Sequence, residues 1–389
     1  MHNKLTDDII LFLALSIVSI VTSKALSDRS KWFQTGYLHN GRMYQAASLL
    51  LDGKVLVTGG YGDNTCSTGE LYDPLTRNWT NTYDMTDCRW FHTASLLLNG
   101  NILIAGGYAG EPEHFGNVRY ILNQAEVYEV STGYWIPTSS MNLERFFHTA
   151  TVLRNGKVLV VGGNDDEPKS AELYDPPTET WTNTENMHYG RKWHTATILK
   201  NGKVLVAGGD DTESNVINNA EVFDPSTETW KVVDSMHYQR CLHTATLLNN
   251  GKVLVTGGMD SDQNVLNSTE LFDPSTESWT ITGNMSCSRY THAASLLPNR
   301  KVLVSGGGGP DPHSDFSNSS ELYDISTGVW TITSTMNHPR GSHTATVLKD
   351  GNILVIGGND VDHAAQITPE VYNSSMNTFL FINKIKQRN

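Results

Sequence analysis

The stretch Arg42–Gly60, RMYQAASLLLDGKVLVTGG, returns six more times along the chain with small changes. Residues 89–107 read RWFHTASLLLNGNILIAGG, and residues 191–209 read RKWHTATILKNGKVLVAGG. Each unit opens on an arginine (Arg42, Arg89, Arg145, Arg191, Arg240, Arg289, Arg340) and closes on a glycine pair. The pairs are Gly59-Gly60, Gly106-Gly107, Gly162-Gly163, Gly208-Gly209, Gly257-Gly258, Gly306-Gly307 and Gly357-Gly358, at spacings of 47, 56, 46, 49, 49 and 51 residues. A second block follows each pair, as in ELYDPPTETW, and sets an aromatic seven residues before Trp79, Trp135, Trp181, Trp230, Trp279 and Trp330, with Phe379 in the last copy. This period constrains the fold more than any other feature, because a unit of about 50 residues cannot bury a core alone.

Each unit parses into four short strands. HTATLL and KVLVxGG are joined by Asn-Gly or Asp-Gly, the strongest short hairpin signal. AELYD follows a polar loop of variable length, and DPxTxT turns tightly into a strand headed by Trp. Seven such sheets bury one another's faces when arranged radially, so an all-β, seven-bladed β-propeller with four antiparallel strands per blade is expected over residues 32–382. Trp32 stands ten residues before Arg42, the register of the other outer strands. The segment 32–38 is therefore expected to pair with the seventh blade and close the ring, in competition with Phe379–Ile382.

The glycine pair, the aromatic seven before Trp and the repeat length resemble the kelch repeat. The wording RxxHTATLLxNGKVLVxGG resembles secreted kelch proteins related to the propeller of galactose-oxidase-type enzymes. The resemblance implies that the His strand lies innermost, the Gly-Gly strand second and the Trp strand outermost.

Residues present in every blade solve a problem that every blade has. The glycines permit close backbone approach or positive φ, and the Trp and Tyr side chains pack between blades. The arginine is expected to pair with the Glu of AELY, with a ligand-facing ring as the alternative. His92, His148, His194, His243, His292 and His343 recur one per blade, and only the first unit has Gln45 at that position. Six near the axis exceed what one metal needs, so hydrogen-bonded structural histidines are expected.

Variation is concentrated in two places. One is the pair after each arginine, where Tyr44, Trp90, Phe91, Phe146, Phe147, Trp193 and Tyr290 are candidates for stacking on a sugar or a peptide side chain; apolar packing beneath the loops is the alternative. The other is the loop after Gly-Gly, longer in the second blade and acidic in blades 3 to 7 (NDDEPK, DDTESN, MDSDQN, GGPDPHSD, NDVDHA). Both are expected on one face of the disc.

The apolar run Ile9–Val21 is short for a membrane span and suits a signal peptide over residues 1–23, with a short signal-anchor as the alternative. Residues 24–31 then read as a linker and 383–389 as a tail. Export would permit disulfides among Cys66, Cys88, Cys241 and Cys287, in any of three connectivities or as free thiols. Glycosylation sequons stand at Asn78, Asn267, Asn284, Asn318 and Asn373. A formal charge of -13 argues against nucleic acid or an anionic membrane surface as partner. Membrane association is expected only if the N-terminal segment is an uncleaved anchor.

The resemblance to galactose-oxidase-type enzymes implies a test for copper radical chemistry. Those enzymes carry a reactive Tyr before the Gln or His of this repeat, cross-linked to a Cys at the same position in the preceding blade. Tyr44 matches the tyrosine, but the preceding blade around the ring has Ser342. There is no Tyr-His dipeptide for the axial ligands, and residues 383–389 are too few for the additional domain that supplies the last ligand. The expectation is a secreted, non-catalytic module without a cofactor, binding a protein or glycan through one face. The alternative is a relative of the copper radical oxidases.

Overall fold

The computed structural model describes residues 31–110, 120–211, 215–310, 316–360, 362 and 364–377. The proposed signal peptide, residues 24–30 of the linker, the tail and the competing segment Phe379–Ile382 lie outside the described residues. No helix among the described residues is long and apolar enough to cross a membrane.

Seven four-stranded antiparallel sheets form the blades of a propeller. Blade four is typical: Thr195–Ile198, Val204–Ala207, Ala220–Asp224 and Thr229–Val233 pair in sequence order. The innermost strand of each blade lies beside that of the next, and Thr344–Val347 of the last blade lies beside Ala46–Leu49 of the first. The ring is therefore closed.

Position within a blade explains the sequence pattern of each strand. The second strand is covered on both faces by neighbouring blades, so all four residues of Val204–Ala207 are buried. Its sequence reads as a continuous apolar run for that reason. The outer strand has one face in water, and in Thr180–Asn183 only Trp181 is buried. Each Trp packs on the aromatic opposite it; Trp230 and Phe223 lie 5.0 Å apart. Its indole N–H donates to a neighbouring blade, as from Trp230 to the carbonyl of Glu185 at 2.9 Å. Seven hydrophobic clusters fill the seven interfaces between blades.

The ring is closed by the N-terminal strand. Trp32–Gln34 adds outside Glu370–Tyr372, with Trp32 opposite Tyr372. Trp32 packs on Tyr372 at 5.1 Å and donates its indole N–H to the carbonyl of Ser334 at 3.0 Å. It thus fills in blade seven the role that Trp79 to Trp330 fill elsewhere.

The repeated arginines and glutamates pair, and do so away from any ligand-facing surface. All seven arginines are fully buried. The pairs Arg42–Glu70, Arg89–Glu126, Arg145–Glu172, Arg191–Glu221, Arg240–Glu270, Arg289–Glu321 and Arg340–Glu370 span 2.7–3.0 Å. Arg191 also donates to the carbonyls of Gly208 and Asn219, and Glu221 accepts the backbone N–H groups of His188 and Tyr189. Each pair therefore fastens the loop that enters one blade to the strands of that blade. Burial pulls the Arg191 pKa down while Glu221 pushes it back up. Replacing Arg191 with Met strands a buried carboxylate, and a loss of about 3–5 kcal/mol is expected in urea denaturation. A loss below about 1 kcal/mol would show that Glu221 finds another partner.

Cys66 and Cys88 form a disulfide, while Cys241 is a buried and Cys287 an exposed free thiol. The bond ties the loop after the first glycine pair to the residue before Arg89, whose N–H donates to Cys66 O at 2.8 Å. Of the sequon asparagines, Asn78, Asn267 and Asn284 are exposed. Asn267 and Asn318 donate their amides to the carbonyls of Met285 and Met336, which holds those side chains against the backbone.

Candidate ligand-binding site at the axial mouth

Each inner strand is preceded by the segment Arg-x-x-His or, in blade one, Arg-x-x-Gln. The residue directly after the arginine forms an antiparallel bridge with the residue after Gly-Gly, as in Met43–Tyr61, Trp90–Tyr108, Lys192–Asp210 and Gly341–Asn359. The glycines make this close approach possible. A Cβ on Gly208 would sit 2.5 Å from the carbonyl oxygen of Arg240, and one on Gly209 2.7 Å from that of Lys192.

The second residue after the arginine adopts the left-handed conformation in all seven blades. Tyr44, Phe91, Phe147, Trp193, Leu242, Thr291 and Ser342 have φ between 49° and 57°. This region costs non-glycine residues on the order of 1 kcal/mol or more each. Backbone hydrogen bonds between blades offset part of that cost. Trp193 N–H donates to Phe147 O, Leu242 to Trp193, Thr291 to Leu242 and Ser342 to Thr291, at 3.0–3.2 Å. The conformation turns these seven side chains onto the wall of a cavity of about 650 Å³ at the mouth of the axis.

The wall has two halves. Tyr44, Phe91, Phe147 and Trp193 stand in contiguous blades, with ring centroids 4.2, 4.0 and 4.7 Å apart in turn. Across the cavity the wall is Leu242, Thr291 and Ser342, joined by Tyr290, Phe316 and Asn359. The sequence-based candidates therefore divide. Tyr44, Phe91, Phe147, Trp193 and Tyr290 line the mouth. Trp90 and Phe146 do not: they are 6 % and 4 % exposed and pack beneath the wall, against Tyr108 at 5.0 and 4.5 Å. They follow the arginine directly, as Tyr290 does, but Tyr290 stands opposite Gly308 and reaches the cavity, whereas Trp90 and Phe146 are covered by Tyr108. Phe316 and Asn359 were not among the candidates. Asn359 could have been found by pairing the residue after each Gly-Gly with the residue after the arginine across the hairpin.

The histidines lie just below the wall, where they join blades. Each Nε2 is hydrogen-bonded to a hydroxyl of the preceding blade: His92 to Thr58, His148 to Thr93, His194 to Thr149, His243 to Thr195, His292 to Thr244 and Thr256, and His343 to Ser305, at 2.9–3.4 Å. The backbone of the arginine three residues earlier also acts on the ring in blades three, five and seven. Burial holds all six well below the usual imidazole range, His148 and His292 at about 3, so they are neutral. Gln45 does the same work at the seam, where its Nε2 donates to Ile356 O of blade seven at 2.8 Å.

Known families match this arrangement. The kelch motif matches residues 42–86 and 145–188, and the KLHDC2/KLHL20/DRC7 kelch-repeats domain matches residues 193–381. The chain belongs to the kelch-repeat β-propellers. No curated protein sequence matches it significantly. Among solved structures, a fungal alcohol oxidase of the AA5 family in complex with copper superposes on this kelch propeller with a TM-score of 0.68 at 18% identity, covering 87% of this chain and 76% of the oxidase. The structure of YjhT superposes with a TM-score of 0.60 at 15% identity, covering 78% of this chain and 100% of that one. Likenesses at these identities show the shared fold.

The donor set of the kelch propeller does not fit a copper centre built on a tyrosine cross-linked to cysteine. Ser342 of the adjacent blade faces the Tyr44 hydroxyl and acts against the effect of burial on its pKa. Serine has no sulfur with which to form the thioether. Burial raises the Tyr44 pKa, which favours the neutral phenol. The histidines are committed to neighbouring blades, and among the described residues no three His, Cys, Asp or Glu side chains converge on one point.

Proposed function

We propose that this kelch propeller is a non-catalytic recognition module, exported from the cell, that binds a protein or glycan through its axial mouth. One observation carries the reading. At seven positions whose backbone would be least strained with glycine, the sequence places Tyr, Phe, Phe, Trp, Leu, Thr and Ser instead. The strain is borne where side chains reach the cavity, as expected where a surface is built for contact. The four aromatics bring large, stiff faces of the kind enriched at binding hot spots. The kelch propeller itself suits such a role, since its rigid blades fix loops on one face.

The experiment is a glycan array run beside a pull-down from extracellular matrix. Phe147→Ala and Trp193→Ala are each expected to weaken binding about tenfold or more, whereas Ile136→Ala on the outer rim leaves it unchanged. Equal binding by all three variants would move the contact surface elsewhere. Export is tested separately, by secretion of a chain that lacks residues 1–23. Retention of the full chain in the membrane fraction would replace the signal peptide with an anchor.

A further inference from the structure

Besides the hydroxyls of Thr291 and Thr344, three buried oxygens that can only accept lack a donor at the mouth. Gln45 is 7 % exposed, and its Oε1 has no hydrogen-bond partner. Its amide cannot be turned round, because Nε2 is held by the carbonyl of Ile356. Asn359 is 3 % exposed with Oδ1 unpartnered, and both residues line the cavity. Asp210 is 8 % exposed with Oδ1 unpartnered, at the rim beside Lys192. All three are acceptors. Buried acceptors are normally satisfied, so these three are places for a donor brought by a ligand.

The surrounding field has the same sign. Asp165, Asp210, Asp260 and Asp360 stand on the loops after the glycine pairs of blades three, four, five and seven. The cations nearby are not free to answer them. The arginines are buried against glutamates, the histidines are neutral, and Lys192 is paired with Asp165 at 3.0 Å. Aromatic faces attract cations as well. Lys192 Nζ already stands 5.3 Å from the centre of the Trp193 ring. An acidic rim around a low-dielectric cleft concentrates positive ligands.

We infer that the mouth binds a cationic side chain, the ammonium of lysine or the guanidinium of arginine, presented by a protein partner. The stem lies along Phe91, Phe147 and Trp193, and the charged head donates to Gln45 Oε1 and Asn359 Oδ1. The inference rests on the reading of the mouth as a recognition site and narrows it. A cation distinguishes proteins from glycans, whose common charged groups are acidic.

The test uses the full chain and five-residue peptides, acetylated and amidated, of sequence Gly-Ser-X-Ser-Gly, with X lysine, arginine, norleucine or glutamate. A neutral oligosaccharide panel runs beside them in calorimetry. Lysine and arginine peptides are expected to bind about tenfold or more tightly than norleucine, with no glutamate binding, and to weaken several-fold as salt rises. Trp193→Ala and Asn359→Leu, each checked for native circular dichroism, are expected to lower cationic binding about five- to tenfold. Norleucine or oligosaccharide binding that matches the lysine peptide and falls with Trp193→Ala would overturn the cationic inference and leave the mouth as the site. Cationic binding indifferent to both variants, or no ligand binding at all at ~1 mM, would overturn the inference and the choice of this surface together.

Discussion

Trp32→Ala is expected to destabilise the propeller by about 3–5 kcal/mol, as much as Trp230→Ala in the middle of a blade. The equality is the informative part. Trp32 lies far from blade seven in sequence, yet it is 3 % exposed and joins Leu303, Leu322, Met336 and Tyr372 in one core cluster. Its loss empties the same volume that an internal Trp would, and removes the indole bond to Ser334. Deleting residues 32–34 goes further, because it bares the edge of Glu370–Tyr372. An unpaired edge is a template for another chain, so the truncated protein is expected to aggregate or exchange strands. A Trp32→Ala variant that loses less than about 1 kcal/mol in urea denaturation would mean that some other segment can close the ring.

Acid is expected to unfold the protein near pH 5, before its carboxylates titrate. The six axial histidines are neutral in the fold, with His148 and His292 lowered to about 3 and the others also well below 6.5. In the unfolded chain they return to about 6.5. Between those values the unfolded chain holds more protons, so stability rises with pH there. The histidine contribution is fully present above about pH 7 and is lost progressively as pH falls from about 6.5 to 3. Each costs about 1.4 kcal/mol by pH 5.5, so six cost about 8 kcal/mol, a large share of a typical domain's stability. Gln45 supplies the control. It fills the same position without a titrating group, so His194→Gln is expected to reduce the proton uptake on unfolding by about one. Stability that stays level from pH 7 to pH 5 would show that the histidines can charge in place.

Much of this architecture was legible in the sequence, because seven copies of one unit disclose what each copy must do. The Gly-Gly pairs, the Trp spacing and the Asn-Gly turns located the strands. The ten-residue offset of Trp32 from Arg42 located the seam. Repetition also separated structural residues from variable ones, and the arginines and histidines took the roles that repetition implied. The mouth was legible only in part. Trp90 and Phe91 look alike in sequence, but one bridges a hairpin and is buried while the other is left-handed and lines the cavity. No glycine marks that left-handed turn, so its usual signal was missing. Gln45 first stood out as the one departure from six histidines. Its amide N–H makes the link to the preceding blade that the histidines make elsewhere and leaves a buried oxygen without a donor.

Recognition through the axial mouth requires a partner to touch the disc there and not at the outer rim. A benzophenone cross-linker placed at residue 147, on the mouth, can be compared with one at residue 134, on the exposed outer strand, during exposure to extracellular matrix. Capture is expected from position 147 alone, and is expected to be lost when Trp193→Ala is added. Capture from position 134, or from position 147 regardless of Trp193, would contradict recognition through the axial mouth.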